Sequence, residues 1–144
     1  MKLVDEAATL ALGRQLAARA RPGDVIALSG PLGVGKTTLV RGFLAGLGHD
    51  DEVPSPSFAI VQPYEALEPA AWHVDLYRLN DPSELAELGL DAADDAVLLV
   101  EWPERAGEGA WPEALRLTLD FESGDARSLT VVVPPPWEGR WPPR

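Results

Sequence analysis

Apolar and polar positions alternate along the chain in two distinct periods. Residues 5–20 carry Leu10, Leu12, Leu16, Ala17 and Ala20 partly at helical spacing, with Asp5 placed to cap the start. Pro22-Gly23 breaks that pattern, and Asp24-Val25-Ile26-Ala27-Leu28-Ser29 follows as a short apolar run suited to a buried strand. Gly30 to Gly35 is glycine-rich. From Lys36 to Leu47 the helical period returns through Leu39, Val40, Phe43, Leu44 and Leu47, with Gly48 at the place of a C-terminal cap.

His49–Ser57 reads as a loop, and Phe58-Ala59-Ile60-Val61 and Ala71–Tyr77 read as strands. Asp81-Pro82-Ser83-Glu84 has the cap, first-turn proline and following acid of a helix start, and Gly89 ends that helix early. Ala96-Val97-Leu98-Leu99-Val100 is the most apolar run and suits a central strand. Leu115–Phe121 alternates at period two, Ser128–Val133 is rich in β-branched residues, and Ser-Gly-Asp lies between them. This predicts a terminal β-hairpin. Residues 134–144, rich in Pro and Trp, cannot make helix or inner strand and are expected to form an extended, mostly disordered tail.

Composition narrows the classes. The 144 residues suit one domain, here 1–133 followed by the tail, and 46% apolar residues suffice for a core. Twelve Lys and Arg against 23 Asp and Glu leave a net charge of −11, which argues against a broad surface gripping nucleic-acid phosphates. The absence of cysteine excludes disulfides and thiolate metal sites, and two histidines leave little for a His-built one. The chain has no apolar run long enough to span a membrane and no signal-peptide pattern, so a cytoplasmic protein with no membrane partner is expected. Lysine occurs only at positions 2 and 36, which makes Lys36 informative before any motif is considered.

Gly30-Pro31-Leu32-Gly33-Val34-Gly35-Lys36-Thr37 matches G-x-x-x-x-G-K-[ST] without a gap. In such a loop the glycines let backbone N–H groups approach a phosphate, and the following helix adds positive potential at its start. Lys36 is placed to reach β- and γ-phosphates, and the Thr37 hydroxyl to bind Mg²⁺. The predicted ligand is a nucleoside triphosphate with Mg²⁺. ATP is favoured over GTP because a guanine-reading N-K-x-D motif is absent. The predicted architecture is α/β: a P-loop NTPase-like, three-layer fold with a mainly parallel sheet and a C-terminal antiparallel hairpin. A metal-binding carboxylate belongs at the end of a neighbouring strand. Glu101 after Val97–Val100 and Asp75 after Trp72-His73-Val74 both qualify. One would complete the Mg²⁺ shell with Thr37, and the other would act on the attacking water or a metal-bound water; spacing alone does not assign the roles.

With these residues in hand, the chain resembles the TsaE (YjeE) family of small bacterial P-loop ATPases of tRNA threonylcarbamoyladenosine synthesis. The likeness runs from about Asp5 to about Arg127. Its blocks are Asp5-Glu6-Ala7-Ala8-Thr9, the Gly30–Thr38 loop with Arg41-Gly42, Val53-Pro54-Ser55-Pro56-Ser57-Phe58, His73-Val74-Asp75-Leu76-Tyr77-Arg78-Leu79 and Val100-Glu101-Trp102-Pro103-Glu104. The resemblance implies that Gly33, Val34, Gly35, Lys36, Thr37 and Thr38 wrap the phosphates and that Thr37 and Glu101 bind Mg²⁺. It places Asp75 near the γ-phosphate, and Lys36, Asp75 and Glu101 form the catalytic set. Trp102, with Pro103 and Glu104 beside it, lies close to the nucleotide, while Glu6 and Arg127 help to enclose base and sugar. It also implies slow ATP hydrolysis that switches or resets a larger assembly, with TsaD and TsaB as partner subunits and tRNA met only indirectly. Two positions depart from the family pattern: Ser57 stands where Thr is usual, and Pro31 where an acid is usual.

Two rival readings stay open: a small P-loop kinase and a non-catalytic nucleotide-gated binding module. A kinase usually needs a basic lid, yet residues 79–126 offer only Arg105 and Arg116. His73 reads as a core or edge residue, and Arg78 as a triphosphate contact or a salt-bridge partner. Trp72, Trp111, Trp137 and Trp141 read as core, interface or tail anchors, and Glu84, Glu87, Asp91, Asp94 and Asp95 as a solvated face.

Overall fold

Helix α1 (Glu6–Ala17) starts where Asp5, in extended conformation, accepts a 2.9 Å hydrogen bond from the Ala8 N–H. Such a cap is worth about 0.5–2 kcal/mol. Its buried positions, Thr9, Leu12, Gly13, Leu16 and Ala17, follow one helical stripe. Helix α2 (Lys36–Gly46) buries Leu39, Val40, Phe43 and Leu44 in the same way. The computed structural model describes residues 1–49, 51–53, 61–107 and 109–143. The segment Pro54–Ile60, which holds Ser55-Pro56-Ser57 and most of the strand expected at Phe58–Val61, lies outside the described residues.

The strands are β1 (Lys2–Leu3), β2 (Val25–Ser29), β3 (Val61–Tyr64), β4 (Ala71–Asp75), β5 (Val97–Glu101), β6 (Leu115–Phe121) and β7 (Arg127–Val132). They form one sheet in the order β1-β7-β6-β2-β5-β4-β3. The β6-β2, β2-β5 and β5-β4 pairs are parallel, while β3 and β7 run against the others. The sheet is therefore mainly parallel, with the expected antiparallel hairpin between β6 and β7. β5 is buried along its whole length between β2 and β4, which explains its unbroken apolar run.

Alternate residues of the strands feed two cores. Ile26, Leu28, Val97, Leu99, Leu115 and Leu117 pack with α1 and α2 on one face. Trp72, Val74, Leu98 and Val100 pack on the other with Leu76, Leu79 and Ala93. This third layer is built of 3-10 turns at Pro82–Leu88 and Leu90–Ala93, not of the helix expected after Asp81. Asp81 does cap, accepting from the Ser83 N–H at 2.9 Å, and Gly89 does end the segment with φ +70. Between them no side chain is fully buried, so nothing anchors an α-helical stripe. No helix among the described residues is long and apolar enough to cross a membrane.

The two α-helices meet through glycines. A Cβ on Gly42 would run into the Leu10 carbonyl, and one on Gly13 into the Leu39 carbonyl. Gly42→Ala is therefore expected to lower stability by about 1–3 kcal/mol in chemical denaturation, despite alanine's better helix propensity. A gain in stability would show that the helices can move apart freely.

The tail is corrected by the structure. Residues 134–143 fold back onto the domain: Trp137 sits fully buried in the core shared with α1 and α2, after a 3-10 turn at Pro135–Trp137. Arg140 lies over the Trp137 ring at 4.0 Å and clamps Asp24 with two bonds, 2.7 and 3.0 Å long. It also donates to the Arg19 and Pro136 carbonyls. Proline does forbid regular structure here. It does not forbid burying a large aromatic ring and satisfying a guanidinium.

Candidate functional site

The carboxyl ends of β2, β5 and β4 lie side by side, because parallel pairing places Leu28 and Asp75 opposite Glu101. The chain leaves β2, joins α2, and later returns to both sides of β2 through β5 and β6. A crevice is expected at such a switch point, and the glycine-rich loop fills it. Gly30 has φ +142 and passes so close to the Leu119 carbonyl of β6 that any Cβ would collide. Gly35 begins α2 in the left-handed region at φ +119, and no side chain caps that helix. The first-turn N–H groups are thus left to face an anion.

Lys36 is only 4% exposed. Its ammonium donates to the Gly30 carbonyl and stands 3.6 Å from the centre of the Trp102 ring. Burial pushes the Lys36 pKa down, while Glu101, Glu104 and Asp75 pull it back up. Thr37 Oγ1 donates to the Glu101 carboxylate, 3.0 Å from Oε2 and 3.3 Å from Oε1. Glu101 itself is buried, and its Oε2 lies 2.6 Å from His73 Nε2. Trp102 follows with a left-handed φ of +58, held by its N–H to the Leu28 carbonyl at 3.2 Å and by the Tyr77 ring at 4.9 Å. A non-glycine residue in that region stores strain, a frequent feature of ligand sites.

The loop is the ridge between two cavities. One, about 350 Å³, is lined by Lys36, Thr37, Asp75, Glu101, Trp102, Leu32, Tyr77 and Arg78 together with loop residues. The other, about 360 Å³, is lined by Glu6, Val34, Arg127, Asp5, Thr9 and Asp125. Gly33, Gly35 and Thr38 border both. Arg127 donates to the Val34 carbonyl at 2.9 Å, tying β7 to the loop, and Glu6 pairs with Arg41 at 2.8 Å. Pro103 and Glu104 stand apart from both cavities: they line a recess with Ser29 and Arg116. Glu104 reaches Lys36 only through its charge.

Burial raises the Asp75 pKa, with nearby Glu101 adding to the rise and the Tyr77 N–H, bonded at 2.9 Å, opposing it. A carboxyl shifted upward binds its proton more tightly in the fold than in the unfolded chain. Stability is then lost as pH climbs through the ordinary carboxylate range, and the loss persists at neutral pH. Asp75→Asn keeps an acceptor for Tyr77 and removes the buried charge. Its melting temperature should exceed that of the unsubstituted chain at neutral pH, with the gain fading near pH 3. A lower melting temperature at neutral pH would show that the Asp75 charge is well compensated.

Among the described residues no cluster of three His, Asp or Glu side chains could hold a metal by itself. What the site offers is one hydroxyl and one carboxylate, both hard oxygen donors, beside an anion cradle. That set suits a small divalent cation whose remaining ligands come from water and phosphate. Lys36, Thr37, Asp75, Glu101 and Trp102, picked from separate stretches of sequence, are thus brought to one cavity. The sequence identifies His73 only as a core or edge residue and does not reveal its contact with Glu101. The signal was its spacing: His73 and Asp75 are two apart in a strand and so share a face.

Residues 3–129 match the family model described as threonylcarbamoyl adenosine biosynthesis protein TsaE. The tRNA threonylcarbamoyladenosine biosynthesis protein TsaE of Streptomyces coelicolor is 45% identical over 129 residues, covering 84% of this chain and 87% of that protein. The Bacillus subtilis protein of the same name is 39% identical over 133 residues, covering 91% and 83%. The Haemophilus influenzae one is 40% identical over 111 residues, covering 75% and 69%. The crystal structure of Bacillus subtilis YdiB superposes with a TM-score of 0.80 at 33% identity, over 96% of this chain and 88% of that one. The chain belongs to the TsaE family.

Proposed function

We propose that this protein is the ATP-binding and ATP-hydrolysing subunit that switches or resets the assembly making N6-threonylcarbamoyladenosine in tRNA. The observation that carries the reading is the convergence at one cavity of the loop, Lys36, the Thr37–Glu101 pair and Asp75. The family's name supplies the pathway. Loop N–H groups and Lys36 hold the phosphates, Lys36 exchanging the Gly30 carbonyl and the Trp102 face for phosphate oxygens. Thr37 and Glu101 would hold magnesium, which would supply positive charge beside the phosphates. Asp75, half-buried with a raised pKa, orients or accepts a proton from the attacking water. Glu6, Val34 and Arg127 line the second cavity, where base and sugar are enclosed.

The net charge of −11 suits a subunit that acts through protein contacts and leaves the tRNA to others. TsaD and TsaB are the partners this reading requires. Phosphate release from MgATP is the test, measured with the chain alone and with both partners added. Slow release that the partners accelerate is expected. Binding without release in the full assembly would favour the nucleotide-gated module, and transfer of phosphate to a small acceptor would favour a kinase.

A further inference from the structure

His73 lies on β4 two residues before Asp75, the register partner of Glu101, so its ring points along the shared sheet face toward the end of β5. It is fully buried. Its Nε2 meets Glu101 Oε2 at 2.6 Å, short even for a hydrogen bond to a charged group. Its Nδ1 is buried with no hydrogen-bond partner among the described residues. An ionised carboxylate only accepts, so Nε2 is the donor to Glu101.

Among the described residues Glu101 Oε2 thus has two donors, His73 from β4 and Thr37 from α2. The two differ in what they can do when a cation binds. Thr37 must turn its oxygen to the metal, because a hydroxyl that coordinates presents its lone pair there. His73 is not placed to coordinate: it stands behind the carboxylate, inside the sheet face, and lines neither cavity beside the loop. Of the two contacts, His73 is the one that survives ligation and holds the carboxylate aimed at the loop. Partners of this kind set the orientation of a ligating group, and removing them typically costs about 10–100-fold in metal affinity.

We infer that His73 is a positioning residue for Glu101: by donating from Nε2 it fixes the carboxylate for the divalent cation that accompanies the nucleotide. This rests on the nucleotide reading proposed above. The test is Mn²⁺ affinity, followed by electron paramagnetic resonance on the intact chain with ADP in excess, beside ADP affinity without metal. In His73→Leu the Mn²⁺ dissociation constant should rise at least about tenfold, while metal-free ADP affinity stays within about twofold. In His73→Gln, whose amide nitrogen reaches the Nε2 position, most of the Mn²⁺ affinity should return. His73→Asn, one bond too short, covers the case in which the leucine variant does not fold, and should bind Mn²⁺ more weakly than His73→Gln. Unchanged Mn²⁺ affinity in His73→Leu, or equal affinities in the Asn and Gln variants, would overturn the assignment of His73 alone. An unsubstituted chain that binds no Mn²⁺ with ADP would overturn the nucleotide reading, and this assignment with it.

Discussion

Lys36→Ala is expected to reduce ATP turnover by about 10²–10³-fold, the loss typical of removing one preorganised charge-stabilising group. The chain has only one other lysine, Lys2 on β1, so no second ammonium can substitute. Lys36 also emerges from the first turn of α2, where on the proposed reading it would share a phosphate with the helix N–H groups, so its removal is expected to weaken binding as well as the chemical step. The fold should survive. Burial lowers the Lys36 pKa, which means the unfolded chain holds that proton more tightly than the folded one. The charged side chain therefore costs stability at neutral pH, and alanine relieves that cost. Circular dichroism beside phosphate release checks both halves. Turnover within about threefold of the unsubstituted chain would show that the phosphates are held elsewhere.

The second large effect lies far from the site. Trp137→Ala should destabilise the domain by about 3–5 kcal/mol, since it empties a large, fully buried ring position. For a chain of this length that corresponds to a fall in melting temperature of roughly 10 °C or more. The loss extends to Arg140, whose guanidinium packs on that ring and binds Asp24 at the entrance to β2. The ion pair then loses the ring that packs against its guanidinium and holds its geometry. Thermal unfolding checks this, and an unchanged midpoint would mean that the tail adds nothing to the fold.

These two positions show where local pattern suffices and where it fails. The loop at Lys36 was legible because each of its parts has a spacing rule: glycines, then a cation, then a hydroxyl, between a strand and a helix. Glu101 and Asp75 were legible as acids closing apolar runs, and parallel register then brings them level. The hairpin of β6 and β7 followed from period-two alternation. Trp137 and Arg140 obey no period. Their places depend on contacts with Asp24 and the Arg19 carbonyl, more than 100 residues away in sequence. Proline content forbids a helix there but says nothing about burial. The 3-10 turns after Asp81 fail for the opposite reason: a sound capping signal meets a segment with no buried stripe to extend it. The His73–Glu101 contact lies between these cases, since strand spacing gives the face and only the register gives the partner.

The central claim is that the cradle at Lys36 binds a magnesium nucleotide. Calorimetric titration of the chain with ATP, with and without Mg²⁺, tests it most directly. Saturable heat at one site per chain is expected, stronger with Mg²⁺ than without, and lost in Lys36→Ala. No heat from the unsubstituted chain, or identical curves for the Lys36→Ala variant, would contradict it.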